Sequence, residues 1–198
     1  MIDQLDLIVA VPPTTEPVSL TEAKAHCRVD GADEDSLIES LIATARNVVE
    51  EQIGRALITQ TLELRIDAWP ILLYLPRPPV ISVDSITYTD DNGVTAILDP
   101  DAYMLRTGVE PAYIRFNSAR LPTVNLADDA AITVRYIAGY GVAAQKVPRS
   151  IRHAILLLVG HYYANREAVA PGAQTVLPYA VETLLAPYKV YWYTEWAQ

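Results

Sequence analysis

The spacing of apolar residues changes period twice along this chain, and that change limits what it can fold into. Between Asp35 and Ile53, the residues Leu37, Ile38, Leu41, Ile42, Ala45, Val48, Val49 and Ile53 recur at steps of three and four. That is the stripe of an amphipathic helix, and Gly54 follows where a C-cap glycine belongs. From Thr61 to Asp67 the period falls to two, so Leu62, Leu64 and Ile66 face a core while Glu63, Arg65 and Asp67 face water. After Gly139-Tyr140-Gly141 the helical period returns. Pro148 suits a first helical position, and Ile151, Ile155, Leu158 and Tyr162 form a stripe widened by Ala154 and Val159, with the helix ending near Arg166.

The remaining elements fit the same order. Ser19-Leu20-Thr21-Glu22 is a capping box and opens a short helix to about Arg28. Val29 to Asp35 is a turn whose carboxylates suit the start of the long helix. Strands are predicted over 72–75, 80–89, 94–98, 102–106, 112–116 and 130–138, with Asp91-Asn92-Gly93 as a hairpin turn and Pro76, Pro78 and Pro79 in a connection or at a sheet edge. A final helix, roughly Val176 to Ala186, carries Val181, Leu184 and Leu185 and is stopped by Pro187. Short, closely spaced strands point to an antiparallel sheet or small barrel rather than to βαβ units. The expected class is therefore α+β: a helical bundle from residues 1–58 and 141–198, packed together, with an antiparallel β subdomain over 59–140 inserted between them.

At 198 residues and 51% hydrophobic content, the chain can bury a core without disulfides or metal. Twenty-four acidic against 15 basic residues give a net charge of −9, which excludes a nucleic-acid binder that works by neutralising phosphates. One cysteine, Cys27, makes no intramolecular disulfide and fits a reducing compartment. The first residues are acidic where a signal peptide is basic, and the apolar run from Leu7 to Val11 is too short to span a bilayer. The expectation is a soluble, intracellularly made protein.

The motifs that suggest chemistry each have a plainer reading. Gly139-Tyr140-Gly141-Val142-Ala143-Ala144 matches a dinucleotide fingerprint after a strand, but Lys146-Val147-Pro148 interrupts before a helix can open on a pyrophosphate, which leaves a glycine turn between strand and helix. His153 and His161 lie eight positions apart, about 12 Å along a helix, too far to share a metal, and His26-Cys27 lacks further ligands at metal spacing. Asp30, Asp33, Glu34 and Asp35 read as helix capping, and Asp90-Asp91-Asn92-Gly93 as a hairpin turn, since neither continues into a calcium-loop ligand ladder. The sequence contains no GxSxG elbow, HExxH helix or P-loop. No catalytic, cofactor or metal residue is assigned. The competing function class is a soluble enzyme or small-ligand-binding module that uses the β subdomain or the glycine turn as a pocket.

Five of the last eleven residues, Tyr188, Tyr191, Trp192, Tyr193 and Trp196, are aromatic. Such side chains dominate interface hot spots, so the segment either anchors on another protein or folds back on its own bundle.

Several segments carry a resemblance. They are Val18-Ser19-Leu20-Thr21-Glu22-Ala23-Lys24 with Cys27-Arg28-Val29-Asp30, Asp35-Ser36-Leu37-Ile38 leading to Ala45-Arg46, and Gly54-Arg55-Ala56-Leu57-Ile58-Thr59-Gln60-Thr61. Leu75-Pro76-Arg77-Pro78-Pro79-Val80, Ala138-Gly139-Tyr140-Gly141 and Val147-Pro148-Arg149-Ser150-Ile151 continue the series, which closes with His161 to Glu167 and Leu184-Leu185-Ala186-Pro187-Tyr188. In this order and spacing the chain resembles the head-tail connector, or adaptor, proteins of long-tailed bacteriophages and of phage-derived gene transfer agents.

The resemblance implies a non-enzymatic virion part made in the bacterial cytoplasm. It would sit in the neck as a ring, usually a dodecamer, between the portal protein and a tail-proximal connector or tail terminator, with DNA passing through and no membrane contact. A wall of negative charge suits that passage, because lysines and arginines would grip DNA. On this reading Arg46, Glu50, Arg149 and Arg152 are expected to set register between subunits. The C-terminal segment from Val176 to Trp196, with its five aromatic residues, is expected to dock on the portal. A minor tail component carrying the same fold is a weaker alternative.

Overall fold

The computed structural model describes residues 6–166 and 179–190. Its class is α+β, and the chain divides into two compact units, a helical one from Pro13–Ile58 with Tyr140–Val190 and a sheet unit containing Thr59–Gly139.

In the helical unit, α1 (Leu20–Cys27) begins at Ser19, whose hydroxyl accepts from the Glu22 backbone N–H while the Glu22 carboxylate accepts from the Ser19 backbone N–H, the reciprocal box expected from the sequence. Arg28 ends the helix in the left-handed region at φ 59°. The long helix α2 (Asp35–Ile53) ends at Gly54, φ 70°. Helix α3 (Arg149–Ala164) starts one residue later than expected, with Pro148 as its N-cap. Helix α4 (Tyr179–Leu185) runs into a 3-10 turn over Ala186–Tyr188 that contains Pro187, so the proline tightens the last turn instead of following it.

Ile38, Ile42, Ala45, Val49 and Ile53 of α2 and Ile151, Ala154, Ile155, Leu158 and Val159 of α3 share one core, closed by Val181 and Leu185 of α4. Each fully buried isoleucine or leucine contributes about 1.5–3 kcal/mol. The α2 stripe is narrower than its sequence pattern, for Leu37 remains 36% exposed. Gly160 marks the approach of α1 to α3, since a Cβ there would lie 3.0 Å from Nε2 of His26.

The sheet unit holds β1 (Asp6–Val11), β2 (Gln60–Ile66), β3 (Leu72–Tyr74), β4 (Val80–Thr89), β5 (Thr95–Ile97), β6 (Tyr103–Arg106), β7 (Tyr113–Phe116) and β8 (Ile132–Ala138). They form a five-stranded sheet, order β1-β2-β8-β4-β5, and a three-stranded sheet, order β3-β7-β6, with antiparallel pairing in both. Leu62, Leu64, Ile86, Ile132, Val134 and Tyr136 are buried beneath the larger sheet. Trp69 stacks edge-on against Tyr88 of β4 at 5.9 Å and Phe116 of β7 at 5.3 Å, and so joins the two sheets. The fully buried Tyr136 donates its hydroxyl to the carbonyl of Pro76 at 2.8 Å.

Strand β1 was not expected. The stretch Leu7-Ile8-Val9-Ala10-Val11 lacks alternation, and the pairing with β2 slips at Ala10, so no period of two is written there. Residues 6–11, placed by sequence in the N-terminal helical part, are instead an edge strand of the five-stranded sheet.

Candidate assembly surfaces

Several charged residues of the helical unit pair with each other. Arg46 lies on α2 one turn before Glu50, and its guanidinium bonds both Glu50 Oε2 at 3.1 Å and Glu16 Oε2 at 2.7 Å. Glu50 is only 4% exposed, and its other oxygen accepts the backbone N–H of Leu57 at 2.7 Å. The carboxylate thus holds the chain where it leaves α2, while Arg46 neutralises it.

Arg152 sits in the first turn of α3, where a helix carries positive partial charge, and it is matched by two acceptors. It donates through Nε to the Pro17 carbonyl at 2.9 Å and through Nη2 to Glu22 Oε1. Glu22 therefore caps α1 and links it to α3 at once. The Ser19 N–H above all, with the Ser19 hydroxyl and Arg152, holds the Glu22 carboxyl below the usual range. Arg149, the first residue of α3, is exposed and forms no ion pair among the described residues. Of the four residues expected at subunit boundaries, Arg46 and Glu50 come together, Arg152 joins a separate cluster, and Arg149 faces solvent.

The acidic turn before α2 also differs from its expected role. Glu34 is the N-cap, but its side chain makes no capping bond; it accepts from the Tyr163 hydroxyl and from Arg166 Nη2 at 2.5 Å. Asp35 bonds Lys24 at 2.5 Å. These carboxylates tie α2 to α3 and α1. Arg166 also lies over the Tyr163 ring, 4.8 Å from its centroid. The Tyr163 hydroxyl, then Arg166, lowers the Glu34 pKa, and Glu34 in turn raises that of Tyr163. Sequence reasoning missed this cluster because its members lie far apart in the chain.

Tyr188 is half-buried against the helical core, and its carbonyl accepts from Arg55 Nε at 2.5 Å. Two residues on, the Val190 N–H donates to the Ile53 carbonyl at 2.8 Å, and Val190 Cβ lies 3.6 Å from where a Gly54 side chain would begin. The chain up to Val190 is therefore fastened to the end of α2. Tyr191, Trp192, Tyr193 and Trp196, as well as residues 176–178 of the expected last helix, lie outside the described residues.

The glycine turn is a connection. Gly139 and Gly141 have φ of 129° and 146°, and a 3-10 turn over Ala144–Lys146 precedes α3, whose N-terminus is therefore not set against the glycines. Asp90 accepts the N–H groups of Asn92 and Val94 at 2.9 and 2.8 Å, which is the work of a hairpin turn. Among the described residues no group of three or more His, Cys, Asp or Glu is placed to hold a metal ion. No helix among them is long and apolar enough to cross a membrane.

A family model described as "Head completion protein" matches residues 16–191, so the chain belongs to the head completion protein family. No curated protein matches it in sequence. Among solved structures it is similar to a chain of the neck of an empty gene transfer agent particle computed with C6 symmetry, with a TM-score of 0.77 and 25% identity over 96% of this chain and 97% of that one. A chain of the virion of a native gene transfer agent particle gives a TM-score of 0.79 at 22% identity with the same coverage. A chain of the neck of a native particle computed with C12 symmetry gives 0.71 at 24% identity, again over 96% and 97% of the two chains. These last two speak for a common fold.

Proposed function

We propose that the chain is a structural, non-enzymatic adaptor that forms a ring in the neck of a phage or phage-like particle, between portal and tail, with DNA passing through it. The observation that carries this reading is the family match over residues 16–191 together with the similarity, over nearly the full length of both chains, to a neck protein of a gene transfer agent. The C6 and C12 symmetries of the neck reconstructions support a ring, and twelve copies are the number we favour. The net charge of −9 suits a passage that lets DNA slide. Nothing in the family match favours the enzyme or ligand-module alternative.

In this reading the helical unit packs copies side by side. Arg149 is a contact residue there, while the Arg46–Glu50 and Arg152–Glu22 pairs hold the helices of that unit in place. The aromatic residues Tyr191, Trp192, Tyr193 and Trp196 dock on the portal, and Tyr188 fixes where that segment leaves the core. A tail-proximal connector or tail terminator meets the opposite end of the ring. The test is pull-down of the full chain and of a chain lacking residues 191–198 with the portal protein of the same particle. The full chain is expected to bind and the shortened one to lose binding; equal binding overturns the role of the aromatic segment, and no binding by the full chain overturns the adaptor reading.

A further inference from the structure

The sheet unit is acidic: with β1 it carries eleven Asp and Glu against six Arg and no Lys, 6 − 11 = −5. Three of those six arginines have carboxylate partners on the same unit. Arg65 pairs with Asp6, Arg120 with Asp101, and Arg135 with Glu63 and Asp84. Arg106 and Arg115 are exposed and make no ion pair among the described residues.

These two arginines share one surface. In the three-stranded sheet Leu72, Arg115 and Met104 form one cross-strand row, and Tyr74, Tyr113 and Arg106 form the row two residues away on the same face. The opposite face, with Leu73, Ile114 and Phe116, is buried. Met104 is 53% exposed, and Tyr74 and Tyr113 meet edge-on with ring centroids 5.9 Å apart. The edge strands are β3 and β6.

We infer that this six-residue face docks an acidic surface of a second copy of the chain, as a contact between neighbours that rests on the ring reading above. Tyr, Met and Arg are the residues enriched at protein interfaces, and here they stand together on a sheet that has its other face in the core. Charge complementarity names the occupant. Asp128 and Asp129 are exposed in the β7–β8 connection, and Asp91 at the β4–β5 turn, so every copy brings carboxylates of the kind that Arg106 and Arg115 do not pair with among the described residues. Such an interface is heterologous, one patch meeting a different one, and contacts of that kind generate a ring when the rotation between neighbours closes. A DNA strand is the poorer match, because a unit with net charge −5 repels phosphates around two isolated arginines.

The test is self-association of the full chain, by native mass spectrometry and sedimentation, alone and with its portal protein. R106E/R115E is compared with wild type, and M104A serves as a variant that leaves charge unchanged. The double reversal is expected to weaken assembly about tenfold or more while leaving circular dichroism and Tm in place, M104A to weaken it less, and rising salt to weaken wild type more than the reversed variant. Wild type and R106E/R115E assembling equally overturns this contact and leaves the ring reading intact. Wild type failing to form an oligomer, even on the portal, overturns both. A loss of duplex DNA binding in the variant with assembly unchanged assigns the face to phosphate and overturns the inference as well.

Discussion

Glu50 and Leu57 are joined by a 2.7 Å hydrogen bond from the Leu57 backbone N–H to a carboxylate that is almost wholly buried. The bond spans the exit from α2, and the only charge within one turn on the same helix that balances it is Arg46. A buried acid that serves as a backbone acceptor belongs to the fold before it belongs to any partner.

Glu50→Ala is expected to destabilise the protein by about 1–3 kcal/mol, since it leaves the Leu57 N–H without its acceptor and Arg46 with Glu16 as its remaining carboxylate partner. Glu50→Gln keeps an acceptor for Leu57 and is expected to lose less. Denaturant midpoints at constant m-value check the ranking; equal losses in the two variants would place the effect in the ion pair alone.

Glu22 sets an acid limit on stability. Its folded pKa lies below its unfolded value of about 4.3, so its contribution is fully present above that value and is lost as pH falls through the lowered folded pKa. Glu22→Gln is expected to be less stable than wild type near neutrality and to approach it in acid. Thermal melts of the two across the acid range test this, and parallel curves would remove Glu22 from the pH dependence.

The two turn glycines are expected to differ. Gly141 has φ 146°, and a Cβ there would lie 3.1 Å from Lys146 Cγ, whereas Gly93 at φ 79° has open space around it. Gly141→Ala is expected to cost about 1–3 kcal/mol and Gly93→Ala about 1 kcal/mol. Thermal unfolding of both variants gives the comparison.

Tyr136→Phe is expected to cost about 1–3 kcal/mol, because it leaves the buried Pro76 carbonyl without its donor. A near-neutral result, read from denaturant midpoints, would show that the connection before β4 relaxes around the change.

The regular elements were legible in the sequence because each writes its own period. The α2 stripe, the Ser19–Glu22 box, the Asn92-Gly93 turn and the β2 alternation all depend on neighbours within a few residues. Strand β1 was not legible, since an unbroken apolar run on a bulged edge has no alternation to read. The surfaces were harder still. Glu34, Tyr163 and Arg166 meet across about 130 positions, and the two rows of the three-stranded sheet exist only once β3, β7 and β6 are in register. Arg46 and Glu50 were expected at subunit boundaries as charged residues, but charge in the sequence does not reveal that Glu50 faces the core.

Imaging of this chain co-expressed with the portal protein of the same particle, with native mass to count copies, decides whether it assembles as a ring in the neck. A closed ring seated on the portal is expected, with twelve copies the favoured number. An assembled portal, competent to bind other tail parts, beside a chain that stays monomeric would contradict it.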